Sequence, residues 1–291
     1  MAMHTKMMQL FAEQGEERPE KPRTYGLTEI RGPSSAMIDG SALQDIFEMF
    51  GPFVDGLKFD GGSYSSMPKT FIKEITCIAH KHNVNVGTGD WADHLLQRGP
   101  SAFRQYVQEC KDLGFDVIDL NVDSLMIPEE NLLRLIRMIK SERLKVKPKF
   151  GIQFEAAAIP SKDRLFGSFV YPSKQKEMIE DVDLLIRKAE RCLDVGADLI
   201  MIDADGVSTH SESLRTDAIA KIIGRLGLEK TMFEAGSPEM LEWFVGRYGS
   251  RVNLFVHHSH VGKLECIRDG AIGIIPSSLS QSHKHGPAIF F

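Results

Sequence analysis

The feature that most constrains the fold is an eightfold alternation between short apolar segments and segments with the periodicity of amphipathic helices. Continuous apolar runs bounded by glycines are typical of parallel strands that are buried on both faces. Two neighbouring parallel strands require a long connection, which is usually a helix. The predicted strands are, in chain order, Tyr25–Gly32, Val54–Gly62, Asn83–Thr88, Phe115–Asn121, Val146–Phe154, Leu199–Ile202, Lys230–Ala235 and Val252–Val256.

This alternation favours one closed (β/α)8 TIM barrel of the α/β class over an open doubly wound sheet. The glycine-rich dinucleotide-binding sequence of a Rossmann fold is missing after the first strand. We expect a flexible arm over residues 1–22, a single barrel domain over 23–270 and a divergent tail over 271–291. The segment Glu155–Lys174 lacks a regular pattern, so it is either a functional loop or a surface insertion.

Composition narrows the expected partners and location. With 42% hydrophobic and 26% charged residues, the chain has the composition of a folded globular domain. A formal net charge of -5 gives no attraction for nucleic acid or an anionic membrane, so neither is an expected partner. No apolar run approaches the roughly 20 residues of a membrane span. Residues 1–21 lack the apolar core of a signal peptide, and we therefore expect a cytoplasmic protein.

Polar residues follow most of the predicted strands, and in a barrel the C-terminal strand ends meet at one mouth where ligands bind. The stretch Val195–Asp205 shows the pattern, because an apolar strand ends on Asp203 and Asp205. Side chains two residues apart on a strand point to the same side. The other predicted mouth residues are Glu29, Arg31, Lys58, Asp60, Asp90, Asp119, Asn121, Lys149, Glu234, His257, His258 and His260.

Acids that converge from several strands suit Mg2+, which takes one or two carboxylates and keeps several waters. A nearby lysine can donate a proton or hold an anion. Simpler interpretations stay open. The mouth charges could serve only to pair with one another, and Asp205 could cap a turn. Lys147 and Lys149 could occupy solvated positions, and the three histidines could form a polar strand end instead of a metal site.

Several short motifs resemble a known family, the phosphosulfolactate synthases. The motifs recur in order along nearly the whole predicted barrel, and they include Gly26-Leu-Thr28, Lys58-Phe59, Gly196-Ala-Asp198 and Phe233-Glu-Ala235. Longer strings are similar to the plant branch of this family, the heat-stress-associated 32-kDa proteins. Two of these strings are Thr88-Gly-Asp-Trp-Ala92 and Leu184-Leu-Ile-Arg-Lys-Ala-Glu-Arg-Cys192.

The resemblance implies a (β/α)8 barrel and a lyase that adds sulfite to phosphoenolpyruvate with Mg2+ as cofactor. It also implies a role for residues at matching positions. These are Lys58 and Glu234 for catalysis, Arg31, Lys149 and Asn253 for substrate binding, and Asp119, Asp203 and Glu234 for Mg2+.

Three departures from the synthase pattern change the charge at the mouth. Gly89-Asp90-Trp91 stands where the synthases have a glycine pair and a threonine after strand three. Pro148-Lys-Phe-Gly-Ile-Gln153 replaces the pattern on strand five, and Asp205 occupies the place of an arginine. A phosphorylated and sulfonated substrate needs fixed cations. These exchanges remove expected cations and add acids at the mouth, so they weaken the binding of such a substrate.

Three functions follow as hypotheses. The first is a synthase-like barrel protein, similar to plant proteins of acquired thermotolerance, with its catalytic activity unproven. The second is an active Mg2+-dependent carbon-sulfur lyase acting on a small anionic substrate. The third is a non-catalytic scaffold that binds a chaperone. A homo-oligomer is expected in each case.

Overall fold

A computed structural model describes residues 18–32, 40–61, 63–90, 99–122, 127–151, 182–203 and 216–270. Within these residues eight parallel strands close into a barrel in the order β1 to β8, with β8 paired to β1. The strands are β1 Thr28–Arg31, β2 Gly56–Lys58, β3 Asn85–Gly87, β4 Val117–Asn121, β5 Lys145–Gly151, β6 Ile200–Asp203, β7 Thr231–Ala235 and β8 Asn253–Val256. The predicted (β/α)8 TIM barrel is confirmed.

A helix separates each described strand from the next and one more follows β8. The helices are α1 Gly40–Phe50, α2 Lys69–Lys81, α3 Pro100–Leu113, α4 Glu129–Ser141, α5 Val182–Asp194, α6 Thr216–Leu226, α7 Pro238–Tyr248 and α8 Val261–Arg268. Their ends follow local chemistry. The Ser237 hydroxyl accepts a hydrogen bond from the Met240 amide and caps α7. Gly114 ends α3 with a left-handed backbone, φ 90°.

The apolar core lies between the barrel and the surrounding helices. Outward-facing strand residues such as Ile30, Leu57 and Phe233 are completely buried against the helices. A second, smaller apolar cluster contains Met201, Met232 and Phe255. The middle of the barrel is different, because it holds the charged side chains of four strands. Glu29, Lys58, Asp119 and Lys147 are all buried there. Layers of branched apolar residues fill this region in most TIM barrels.

Two local features differ from what the sequence predicts. Proline cannot donate to a strand ladder, so Pro148 predicts an interruption of strand five, but β5 runs without a break from Lys145 to Gly151. Proline removes only its own N–H from the ladder, and its neighbours Lys147 and Lys149 keep their register with Asp119 and Asn121 of β4. The third strand was predicted over residues 83–88, and it spans only Asn85–Gly87.

Residues 18–22, predicted to belong to the flexible arm, pack against the N-terminal end of the barrel. The Arg18 guanidinium pairs with Asp55 and Glu265 and donates a hydrogen bond to the Thr28 hydroxyl at 2.9 Å. The Lys21 ammonium donates to the carbonyl oxygens of Gly51 and His82, both at 2.9 Å. The rest of the predicted arm, the Glu155–Lys174 segment, Asp205 and the predicted tail lie outside the described residues. In the described part of the chain no helix is long and apolar enough to cross a membrane.

Candidate functional site

Lys58, at the end of β2, lies between two carboxylates at the C-terminal mouth of the barrel. Its Nζ is 3.2 Å from Asp90 Oδ1 and 3.7 Å from Asp119 Oδ1. It also lies over the ring of Phe255, 5.2 Å from the centroid. The lysine is buried, whereas Asp90 follows β3 and is partly exposed. Lys58 therefore holds Asp90 at the base of the mouth.

Lys149 of β5 lies closer to solvent and contacts three carboxylates. Its Nζ is 2.8 Å from Asp203 Oδ2, 3.4 Å from Asp90 Oδ2 and 3.8 Å from Glu234 Oε2. The three acids come from the ends of β3, β6 and β7, so the ammonium joins strands on both sides of β5. Asp90 contacts Lys58 with one oxygen and Lys149 with the other, which brings the two cations to the same carboxylate.

Arg31, the last residue of β1, is the outermost described cation of this group. Its Nη2 donates to Glu234 Oε1 at 2.8 Å, and its Nη1 is 3.6 Å from Asp60 Oδ1. The guanidinium lies over Phe255, 5.3 Å from the ring centroid. With 43% of its side chain exposed, Arg31 is the cation most accessible to an arriving solute.

Asp119 lies deeper, where it links the mouth to the charged interior of the barrel. Its Oδ2 accepts a hydrogen bond from the Gly89 amide at 3.0 Å, and its Oδ1 is 3.3 Å from Lys147 Nζ. Lys147 in turn donates to Glu29 Oε1 at 2.6 Å. Gly87 makes room for this carboxylate, because a Cβ there would lie 2.9 Å from Asp119 Oδ2.

Ion pairing keeps Lys58, Lys149 and Asp90 ionised. Burial alone lowers the pKa of Lys58, but Asp119, Asp90 and Glu29 outweigh it and raise the pKa above its ordinary value. The pKa of Lys149 is raised for the same reason, since Asp90 and Asp203 outweigh its desolvation. Burial raises the pKa of Asp90, yet the two lysines reverse this and hold the pKa below its usual range.

Among the residues that the structure describes, the mouth carries more acid than base. Three described cations face five described carboxylates, which gives this group a formal charge of -2 when all are ionised. The group consists of Arg31, Lys58, Lys149, Asp60, Asp90, Asp119, Asp203 and Glu234. An anionic ligand must therefore compete with carboxylates for each of these cations.

The structure brings together most of the residues predicted for the site. Arg31, Lys58, Lys149, Asp203 and Glu234 meet at the mouth. Asp119 is in contact with Lys58 but is completely buried below the others. Asp90, predicted at the mouth but assigned no catalytic, substrate-binding or metal-binding role, is the carboxylate shared by both lysines. Its position directly after strand three predicts its place at the mouth but not its two lysine partners. Lys147 and Lys149 do not lie at solvated positions, because their side chains are only 4% and 14% exposed.

The structure does not bring Asn253, predicted to bind substrate, to the mouth. This residue begins β8, so it lies at the N-terminal end of the barrel, away from the mouth. Its Oδ1 accepts from the Leu27 amide at 2.8 Å, and its Nδ2 donates to the carbonyl oxygens of Leu228 and Thr231. The completely buried amide group thus joins the starts of β1, β7 and β8 and has a structural role.

The donor set at the mouth does not fit Mg2+ in this arrangement. The ammonium of Lys149 stands among the carboxylates of Asp90, Asp203 and Glu234, where a divalent cation would need to lie. Asp119 accepts a hydrogen bond from the Gly89 amide at Oδ2, and its buried Oδ1, which accepts none from the described residues, lies 3.3 Å from Lys147 Nζ and 3.7 Å from Lys58 Nζ. Among the described residues no group of three or more His, Cys, Asp and Glu side chains could hold a metal ion. This statement includes the histidine cluster after β8, where the His257 Nδ1 and the Ser259 hydroxyl are 2.8 Å apart.

Eight parallel strands with charged residues at their C-terminal ends define a TIM-barrel protein with the layout of a small-molecule site. Solved structures agree with this class. The chain is similar to 3-hexulose-6-phosphate synthase from Salmonella typhimurium with a TM-score of 0.52 and 9% identity, over 83% of this chain and 98% of that one. A phospho-2-dehydro-3-deoxyheptonate aldolase from Thermotoga maritima gives a TM-score of 0.50 and 12% identity, over 84% and 70%. At these identities the likeness concerns the fold alone.

Sequence relatives are more specific. A family model described as (2R)-phospho-3-sulfolactate synthase (ComA) matches residues 16–273. The Arabidopsis thaliana protein HEAT-STRESS-ASSOCIATED 32 is 57% identical over 262 residues, which are 90% of this chain and 92% of that protein. A phosphosulfolactate synthase from Methanothermobacter thermautotrophicus is 24% identical over 267 residues, 88% of this chain and 93% of that enzyme. The chain belongs to the phosphosulfolactate synthase (ComA) family.

Proposed function

We propose that this chain is a phosphosulfolactate synthase-like protein of the heat-stress response, and that its barrel mouth carries out carbon-sulfur lyase chemistry on a small anionic substrate. The observation that carries the proposal is the shared contact of Lys58 and Lys149 with Asp90. Two protonated lysines are thereby held next to each other at the C-terminal strand ends. The family assignment supports the lyase chemistry, and the name of the Arabidopsis relative supports the link to the heat-stress response.

The side chains suit addition of sulfite to phosphoenolpyruvate. In this step the sulfur lone pair of sulfite attacks the methylene carbon and forms the C–S bond. The electron pair of the C=C bond moves toward the carboxylate, and the adjacent carbon then takes up one proton. Arg31 and Lys149 would neutralise the negative charge that develops on the substrate carboxylate. The raised pKa of Lys149 keeps a proton on its ammonium for delivery to that carbon.

The two predicted catalytic residues receive different roles in this scheme. Glu234 contacts both Arg31 and Lys149, so it would orient the two groups that meet the substrate. Lys58 lies below them with only 6% of its side chain exposed, and it contacts Asp90 and Asp119. We assign Lys58 to the positioning of Asp90. No step is assigned to the Mg2+ that the family resemblance implies, because the Lys149 ammonium lies among its candidate ligands.

The test is to incubate the purified protein with phosphoenolpyruvate and sulfite and to search for the sulfonated product by mass spectrometry. Reactions contain either millimolar Mg2+ or EDTA, so dependence on a divalent ion is measured directly. Lys149→Met should abolish the product. Lys140→Met is the matched control, since Lys140 is also ion-paired, to Asp198 at 2.8 Å, but on α4 outside the mouth. Equal turnover by both variants would remove Lys149 from the mechanism.

A second candidate function is a non-catalytic scaffold that binds a chaperone. The observation favouring it is that carboxylates outnumber cations in the described mouth. Arg31, Lys58 and Lys149 are each already paired with a carboxylate, so the charges stabilise one another without a substrate. In this case no condition yields product. The protein should then still slow the aggregation of a heated client protein or increase refolding by a chaperone, and Lys149→Met should be as effective as the wild type if it remains folded.

A cytoplasmic location and a homo-oligomeric state are further proposals, and both derive from the sequence. Fractionation of cells that contain the tagged full-length chain checks the first. Light scattering coupled to size-exclusion chromatography checks the second, and a mass equal to the 32.6 kDa of one chain would reject it.

A further inference from the structure

A cavity among the described residues opens at the N-terminal end of the barrel, opposite the charged mouth. Its volume is about 790 Å³, whereas the described part of the mouth encloses about 60 Å³. Small-molecule sites in proteins typically span ~300–1,000 Å³. The cavity is lined by the first residues of β1 to β5 and by Met232 of β7, and it extends inward to the Glu29 and Lys147 ion pair.

The inner wall of the cavity is apolar and incompletely covered. Leu27, Val117, Leu199 and Met232 line it, and the first three are only half-buried although they belong to the barrel itself. Leu27 and Leu199 pack with Met232 in the small apolar cluster that is separate from the main core. Apolar surface left accessible within a concave wall is stabilised when an apolar ligand removes it from water.

The rim of the cavity is cationic. Lys21, Lys145 and Lys230 line it, and none of them pairs with a carboxylate in the part of the chain that the structure describes. The Lys145 ammonium donates only to Asn85 Oδ1, at 3.2 Å. Of the four acids of the lining, three are already paired, since Glu29 contacts Lys147, Asp55 contacts Arg23 at 3.0 Å and Asp198 contacts Lys140 at 2.8 Å. The fourth, Glu229, is exposed and precedes Lys230, and the lining as a whole still holds five Lys and Arg side chains, which are Lys21, Arg23, Lys145, Lys147 and Lys230. The rim therefore favours a negatively charged group.

We propose that this cavity, defined by Leu27, Val117, Leu199, Met232, Lys145 and Lys230, is a second binding site that takes an organic anion with an apolar or aromatic body. The apolar part lies against Leu199 and Met232, and the anionic group lies between the rim lysines and solvent. None of the six residues that define the cavity belongs to the charged group at the mouth. An occupant that binds only the folded barrel raises its thermal stability by mass action.

The test uses 8-anilinonaphthalene-1-sulfonate, which joins an aromatic body to a sulfonate. Its fluorescence is titrated against the full-length native protein, and the melting temperature is followed by circular dichroism. The expected result is saturable binding of one dye per chain with a rise in melting temperature. In Lys145→Glu/Lys230→Glu the dissociation constant should increase about tenfold or more, because charge-assisted contacts are lost. Lys73→Glu/Arg134→Glu changes the net charge equally at exposed positions on α2 and α4 and should leave binding unchanged.

A second variant fills the cavity and does not depend on charge. Leu199→Phe adds volume at the inner wall, so it should weaken dye binding while the protein keeps or raises its melting temperature. If both the rim and the wall variants bind the dye as tightly as the wild type, the cavity is not the binding site. Binding that never saturates, or that appears only as the protein melts, would also overturn the proposal.

Discussion

Replacing Lys149 by methionine removes the one positive charge that three carboxylates share. Methionine has a similar length and is apolar, so the main change is electrostatic. Removing one partner of a buried ion pair costs about 3–5 kcal/mol. The side chains of Lys149 and Asp203 are 14% and 26% exposed, so solvent screening places this variant near the lower end of that range. For a chain of this size a loss of roughly 3 kcal/mol lowers the melting temperature by about 5 °C.

The pH dependence of this loss has a definite sign. The pKa of Lys149 in the folded protein is raised, so its contribution to stability is complete below its unfolded pKa and is lost only as the pH rises through the folded value. Between pH 7 and 9 the difference between wild type and variant should therefore be constant. Below about pH 5 it should shrink, because protonation of the carboxylates removes the repulsion that the variant contains.

The same variant should acquire affinity for a divalent cation. Asp90, Asp203 and Glu234 would face one another without the ammonium, and Mg2+ or Mn2+ can take its place. At a hundredfold excess over the dissociation constant the metal would restore about 2.7 kcal/mol. Lys149→Met should thus gain several degrees in melting temperature with millimolar Mg2+, while the wild type and Lys140→Met do not.

Thermal melts of the wild type, Lys149→Met and Lys140→Met across pH and Mg2+ concentration test both predictions for Lys149. Lys140→Met should lose at most about 1 kcal/mol, since its ion pair is more exposed. If Lys149→Met is no less stable than this control, the ammonium does not organise the mouth. If wild type and Lys149→Met respond equally to Mg2+, the metal binds elsewhere and Lys149 does not occupy its place.

Three further predictions concern stability and reactivity. Arg18→Met should cost about 3 kcal/mol in urea denaturation, because it leaves the buried carboxylates of Asp55 and Glu265 without this cation; a change below 1 kcal/mol would mean that residues 18–22 add little to the barrel. Gly87→Ala should destabilise the protein by about 1–3 kcal/mol, since its Cβ would contact the Asp119 carboxylate. The control Gly224→Ala has open space around the new Cβ and should be neutral or stabilising in the same experiment. Burial raises the pKa of Cys192 to about 12, so a thiol reagent at pH 8 should label the exposed Cys77 and Cys266 in the native protein and reach Cys192 only after unfolding; rapid labelling of Cys192, read by peptide mass spectrometry, would contradict its burial.

The barrel could be predicted from the sequence because its signal is local. Each strand is a short apolar run, and parallel strands need the helices that separate them. The positions of Arg31, Lys149, Asp203 and Glu234 followed from the same logic, since all lie at or near C-terminal strand ends that a closed barrel brings to one mouth. These predictions required only the topology of the barrel.

The pairing inside the barrel could not be predicted in this way. Lys147 looked like a solvated lysine because its partner Glu29 is 118 residues away in the sequence. Asp90 follows β3, which like β2 has only three residues, so its place beside two lysines depended on the register of β2, β3 and β5. Asn253 was assigned through its motif, but the first residue of a strand lies at the other end of the barrel from the last. The contacts of Lys147, Asp90 and Asn253 depend on how distant parts of the chain are arranged in the fold, which residue type alone does not indicate.

The charged interior also constrains how the chain can fold. Lys147 of β5 contacts Glu29 of β1 and Asp119 of β4, where a TIM barrel usually has apolar layers. If β5 slipped by one residue against β4, Lys147 would face the helices, Glu29 would lose its ion-pair partner and Asp119 would keep only Lys58. Such a slip exposes an unpaired charge to the apolar layer, whereas a slip in an all-apolar barrel would exchange one aliphatic contact for another. The buried charges therefore select one alignment of the strands among near-equivalent ones.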